Sequence, residues 1–78
     1  KQADNAPLFE ALRLLRRQIA EQENVPPFVI FADSVLKEMC QVCPLTMEEL
    51  RQVKGIGDVK LRRYGADFLR VLSAHVSC

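Results

Sequence analysis

Asp58-Val59-Lys60-Leu61-Arg62-Arg63-Tyr64-Gly65-Ala66-Asp67-Phe68-Leu69-Arg70-Val71-Leu72-Ser73-Ala74-His75-Val76 carries the clearest periodicity in the chain. Its apolar residues Leu61, Tyr64, Phe68, Leu72 and Val76 recur at steps of three, four, four and four, which lines one face of an α-helix. Gly65 falls inside this pattern and either divides the stretch into two helices or weakens a single one. Ahead of it, Gly55-Ile56-Gly57 reads as a tight turn, with Asp58 placed to cap the helix that follows.

Further toward the N-terminus the same logic repeats. Thr46 followed three residues later by Glu49 is a capping box, and it opens a short helix running to about Val53. Pro44 stops an earlier helix on which Leu36, Met39, Cys40 and Cys43 share a face and for which Asp33 is the expected cap. Residues 28–31 read as a short extended apolar connector after Val25-Pro26-Pro27, a triplet that cannot continue a helix. Leu8, Leu12, Leu15 and Ile19, at steps of four, three and four, mark the first helix. Its cap is Asp4 or Asn5, Pro7 sits in its first turn, and it fades near Asn24. The expectation is an all-α protein, a compact bundle of four to five short helices. Residues 1–6 read as a linker or frayed N-terminus and 7–78 as one domain.

Composition narrows the functional classes. The chain has 78 residues, 49% apolar and 27% charged, so it holds one small core that hides about 60–65% of its unfolded surface. Eleven basic residues against ten acidic give a net charge of +1, which excludes a basic arm that binds nucleic acid by charge alone and equally an acidic tail. The longest apolar run, 28–32, is far too short to span a bilayer, and no signal peptide is visible at the N-terminus. Three cysteines, an odd number, suit a reduced cytosolic protein better than a secreted disulfide framework.

Catalysis finds little support. His75 is the single histidine, and no serine or cysteine is placed by sequence to pair with it. Glu48 and Glu49 are better explained as first-turn acids favoured by the helix dipole. Cys40, Cys43, His75 and Cys78 have short spacings that could suit zinc, but Cys40 and Cys43 lie on an apolar helix face, where free cysteine packs as a small hydrophobe. No metal site, no cofactor and no enzymatic role is expected for this stretch.

The strongest chemical signal surrounds the glycine turn. Residues 54–65 hold four cations (Lys54, Lys60, Arg62 and Arg63) and one acid, Asp58, a local charge of +3. The turn made by Gly55 and Gly57 leaves N–H groups at the start of the next helix, and these suit a phosphate, with the flanking cations adding salt-sensitive attraction. The competing reading is a chain reversal with a solvated basic face. Phe28, on a proline-stiffened loop, is either a stacking platform for an unpaired base or a plug for the bundle. On the first helix Arg13 and Arg17 share the outer face with Glu10 and Glu21, so that face is neutral, while Arg16 stands to one side and is freer.

Read together, these stretches resemble the HRDC domain, named for the C-terminal regions of helicases and ribonuclease D. The resemblance runs through Leu8-Phe9-Glu10-Ala11-Leu12-Arg13, Asn24-Val25-Pro26-Pro27-Phe28-Val29-Ile30-Phe31, residues 33–39 and Pro44-Leu45-Thr46. It ends with Val53-Lys54-Gly55-Ile56-Gly57 leading to Tyr64-Gly65. The proline-rich stretch is most similar to that of bacterial RecQ-type DNA helicases. The resemblance implies a five-helix bundle at the C-terminal end of an ATP-dependent helicase of recombination and repair. ATP and Mg would then belong to the parent chain and not to this domain. It implies a DNA-assisting role on single-stranded or partly double-stranded substrates, in a bacterial cytoplasm, with the isolated domain a monomer. The loop aromatic matching Phe28 is often Tyr in such members; Phe keeps the π-face and lacks the hydroxyl. Two roles follow: a weak, salt-dependent DNA-binding module using Lys54, Gly55, Gly57, Lys60, Arg62, Arg63 and Phe28, or a protein-interaction module docking on the rest of the helicase chain or a partner.

Overall fold

A computed structural model describes residues 6–75, which form five helices and no strand: α1 (Ala6–Glu23), α2 (Pro27–Ile30), α3 (Asp33–Val42), α4 (Met47–Arg51) and α5 (Asp58–His75). The cap expected at Asp4 or Asn5, and Val76 and Cys78, lie outside the described residues. On α1, Leu8, Leu12 and Ile19 are buried and Leu15 is partly so, as their spacing requires. The helix ends in a Schellman arrangement: Asn24 adopts φ 61°, its N–H bonds the Glu21 carbonyl at 3.3 Å, and the Val25 N–H bonds that of Ala20 at 3.0 Å. Asparagine tolerates this left-handed conformation better than most residues, which is why the helix stops there.

The segment expected to be an extended connector is instead one helical turn. Proline at the first helical position has its φ preset and loses no hydrogen bond, so Pro27 opens α2 while Pro26, held extended at φ −63° and ψ 149°, stands as its cap. The two prolines that end one helix therefore start the next. Only Phe31 is extended, at φ −151°, and its fully buried ring packs edge-on against Phe68 (5.1 Å between centroids) and Tyr64 (6.1 Å). Leu12, Ile30, Leu36, Met39, Leu50 and Leu72 complete the core around it. α1 packs on α2, α3 and α5, and α4 packs on α5.

Two more readings change on the same grounds. Asp33 is the first residue of α3 rather than its cap; Ala32 is the cap and makes no side-chain bond. Asp33 instead receives Arg16, whose Nη1 lies 2.8 Å from Oδ1 and also donates to the Phe31 carbonyl at 2.9 Å. Arg16 is thus not a free cation but a buried clamp, 9% exposed, tying α1 to the α2–α3 junction. The hydrogen bond from Arg16, and its charge, hold the Asp33 carboxyl below the usual carboxylate range. Removing the guanidinium by Arg16→Met leaves the Phe31 carbonyl buried without a donor, while Asp33 stays open to water. The expected cost is about 1–2 kcal/mol, read as a fall in melting temperature of about 4–16 °C. An unchanged melt would show that the clamp holds nothing.

α3 ends at Cys43, which takes φ 52° and donates to the Met39 carbonyl at 2.8 Å before Pro44 turns the chain away. Thr46 caps α4, its Oγ1 accepting from the Glu49 N–H at 3.1 Å. The return bond of the box goes one residue early, from the Leu45 N–H to Glu49 Oε1 at 2.9 Å. α4 stops at Arg51, slightly short of the expected end. Gly65 does not divide α5, which runs unbroken. Its lack of a side chain makes room for Met47, whose sulfur would lie 3.0 Å from an added Cβ.

Candidate nucleic-acid interface

The glycine turn is held from below. Gly55 has φ +93°, a conformation reserved in practice for glycine, and an added Cβ would lie 2.6 Å from Val35 Cγ2 on α3. Val53 and Ile56 on either side are buried. Gly57 is different: its surroundings are open, and its carbonyl accepts the first bond of α5, from the Leu61 N–H at 2.9 Å. The N–H groups of Asp58, Val59 and Lys60 therefore have no acceptor within the helix. Asp58 already supplies negative charge there, and its carboxylate sits 3.7 Å from Arg51 Nε. Asp58 is thus the first residue of α5 rather than its expected cap, and its charge offsets the dipole at the helix start, which moves the weight of any phosphate contact to the cations.

Those cations do not form one row. Residues two apart on a helix do not share a face, so Arg62 turns away from Lys60. It lines a shallow concavity of about 280 Å³ with Arg51, Asp58 and Leu61. Lys60 and Arg63, three residues apart, share the flank that meets Glu23 of α1 and Phe31. Lys60 Nζ stands 5.9 Å from the centroid of the Phe31 ring. Arg63 stacks over Tyr64 at 5.4 Å and pairs with Glu23 Oε2 at 3.3 Å. Glu23 Oε1 in turn accepts the Tyr64 hydroxyl at 2.8 Å. Burial, together with this hydrogen bond, pushes the Tyr64 phenol above its ordinary value. Lys54, exposed in the turn itself, has no ion-pair partner among the described residues, nor has Arg62.

Phe28 is not a plug. It is 69% exposed on α2, beside the half-exposed Val29, and Phe31, three residues on, is the aromatic that fills the core. Phe31, the residue that closes α2, meets α5 at Lys60, Tyr64 and Phe68. Glu23 is the residue that sequence reading missed. It lies 40 positions from Arg63 and on a helix end, where no spacing links it to the basic stretch. On α1, by contrast, Arg13 bonds Glu10 at 3.1 Å and Arg17 bonds Glu21 at 3.4 Å, the neutral face that their spacing implies.

Of the cysteine and histidine set, Cys40, Cys43 and His75 are among the described residues. Burial raises the Cys40 thiol, and the neighbouring Cys43 adds to the rise. His75 Nδ1 lies 3.2 Å from the Val71 carbonyl on the same helix. No three metal-ligating side chains converge among the described residues, and no described helix is long and apolar enough to cross a membrane.

Comparison with known proteins agrees with this architecture. The family model described as the HRDC domain matches residues 5–72. The chain is 44% identical over 68 residues to the ATP-dependent DNA helicase RecQ of Haemophilus influenzae, covering 87% of this chain and 11% of that protein. To its Bacillus subtilis counterpart the identity is 44% over 72 residues, covering 92% of this chain and 12% of the relative. Among solved structures, HRDC domain 3 of Deinococcus radiodurans RecQ superposes with a TM-score of 0.88 at 33% identity, covering 92% of this chain and 95% of that one. The sequence motifs, the five-helix order, the family model and the superposition all meet on one assignment, and the chain belongs to the HRDC domain family.

Proposed function

We infer that this domain is a non-catalytic accessory module of a RecQ-type ATP-dependent DNA helicase acting in recombination and repair in the bacterial cytoplasm. In this reading it modulates substrate engagement by binding single-stranded or partly double-stranded DNA weakly and in a salt-dependent way. ATP and Mg serve the parent chain alone, and the domain itself is a monomer. The observation that carries the reading is the exposed Phe28 ring on α2, the helical turn whose closing residue, Phe31, lies 5.9 Å from Lys60 Nζ. An exposed aromatic offers a face to an unpaired base, and cations beside it meet the backbone, which is how sequence-tolerant single-strand binders work. Lys54, Lys60 and Arg62 supply the phosphate contacts, Gly55 and Gly57 shape the turn, and Arg63 contributes once released from Glu23.

Phe28→Ala tests the stacking half. It is expected to lower affinity for a labelled single strand by about tenfold, the loss of one base stack, with the melting temperature unchanged because the ring is exposed. Unchanged affinity would remove Phe28 from the interface. A lost melt would return it to the core.

A second reading rests on a separate patch. Val42, Leu45 and Met47 are all substantially exposed at the α3–α4 junction, and a cavity of about 570 Å³ there is lined by Val42, Cys43, Leu45, Glu49 and Gln52. Clustered apolar exposure is a mark of protein contact. In that reading the domain docks on the rest of its helicase and tunes DNA binding indirectly.

A further inference from the structure

We propose that Glu23 is a built-in competitor for phosphate on Arg63, so that nucleic acid engages this guanidinium only by displacing the carboxylate of α1. The inference rests on the DNA-binding reading given above and names the residue that limits affinity at that surface. One carboxylate oxygen of Glu23 lies 3.3 Å from Arg63 Nη2, and the other accepts the Tyr64 hydroxyl at 2.8 Å. Glu23 is thus anchored at one oxygen while the other meets the cation. Its side chain is 30% exposed against 58% for Arg63, so the guanidinium is the more accessible partner. Arg63 Cζ also lies over the Tyr64 ring at 5.4 Å from its centroid, so the guanidinium, the ring and Glu23 form one contact group.

A carboxylate and a phosphodiester present the same oxygen acceptors to arginine. Three of the four cations of the basic segment, Lys54, Lys60 and Arg62, have no carboxylate partner among the described residues, whereas Arg63 has one. Glu23 therefore subtracts one contact from the set that the sequence offers. A partly exposed ion pair of this kind is weak and screened, so a polyanion can exchange into it. Binding weakens without being abolished, and the Tyr64 bond returns the carboxylate to its place when the strand leaves. Glu23 is a positioning residue acting through Arg63.

Glu23→Gln tests this, because glutamine keeps an oxygen for the Tyr64 hydroxyl and removes only the charge. Binding of a labelled oligothymidine is followed by fluorescence anisotropy across low to moderate salt, in the wild type, Glu23→Gln, Arg63→Gln and the double variant. Glu21→Gln, whose acid pairs with Arg17 elsewhere on α1, serves as control. The expected result is affinity about three- to tenfold tighter for Glu23→Gln at low salt, with the salt slope steeper by about 0.7, one released single-strand counterion contact. Both gains vanish in the Arg63→Gln background, and Glu21→Gln shows neither. A gain that persists without Arg63, or that Glu21→Gln matches, overturns the proposal as a mere change of net charge. Salt-dependent wild-type binding that Glu23→Gln leaves unchanged overturns it while leaving the interface standing. No binding by either protein overturns both.

Discussion

Lys60→Glu combined with Arg63→Glu is expected to lower affinity for a labelled single strand about a hundredfold at low salt, a loss of about 2.7 kcal/mol. The two side chains lie one helical turn apart on the flank of α5 that meets Glu23 of α1, and Lys60 stands over Phe31. Reversing both charges removes the Lys60 phosphate contact and the guanidinium that Glu23 holds, and adds two repulsions beside the strand. The loss should shrink as salt rises, since screening weakens both terms, and the slope of log affinity against log salt should flatten by at least about 0.7, the Lys60 contact. Arg63→Glu sets a second carboxylate beside Glu23, so the melt of the double variant is read alongside. Lys60→Gln with Arg63→Gln gives the same direction without that repulsion. Arg13→Glu with Arg17→Glu, on the α1 face already neutralised by Glu10 and Glu21, should change affinity far less. Equal losses from the two double variants would mean that overall charge, not this flank, governs binding.

The second large effect falls on stability. Gly55→Ala meets two independent obstacles, a backbone at φ +93° that a side chain disfavours and a Cβ only 2.6 Å from Val35 Cγ2. The conformational cost of about 1–2 kcal/mol and an overpacking cost of about 1–3 kcal/mol exceed the small gain from a stiffer unfolded chain. A net loss of about 2–4 kcal/mol is a large share of the roughly 4–12 kcal/mol expected for 78 residues. Gly57→Ala is the matched control: nothing lies within 4 Å of its added Cβ, and its φ is not positive, so chemical denaturation should shift by less than about 0.5 kcal/mol. Similar losses at both positions would contradict the distinction between a glycine demanded by packing and one that only lies in the turn.

That pair also shows where sequence reading reaches its limit. Both glycines marked the turn, but only the contact with Val35, 20 positions earlier, separates their roles. Local signals translated directly into structure. The three-four spacing of Leu61, Tyr64, Phe68 and Leu72 became the buried face of α5, Thr46 capped α4, and Asn24 closed α1. Each of these depends on residues within one or two helical turns of one another. The readings that changed depend on long-range partners. Arg16 is free on a helical projection, and only the return of the chain at Phe31 and Asp33 makes it a buried clamp. Phe28 and Phe31 lie in one apolar run, and which ring enters the core is decided by the α2 turn that the two prolines start. Arg63 counts toward a local +3 until α1 brings Glu23 beside it. The basic segment was therefore legible as a candidate site, but its working charge was not.

The central claim, that this HRDC domain meets DNA directly through Phe28 and the basic segment around α5, is tested most directly by titrating the isolated domain. Fluorescence anisotropy with a short labelled single strand, repeated from low to moderate salt, reads affinity and its salt slope together. The predicted result is micromolar-range binding that weakens with salt, at a slope of about −2, as the three phosphate contacts of Lys54, Lys60 and Arg62 on a single strand require. Absence of binding at the lowest salt would contradict direct contact and leave the exposed Val42, Leu45 and Met47 patch as the working surface of the domain.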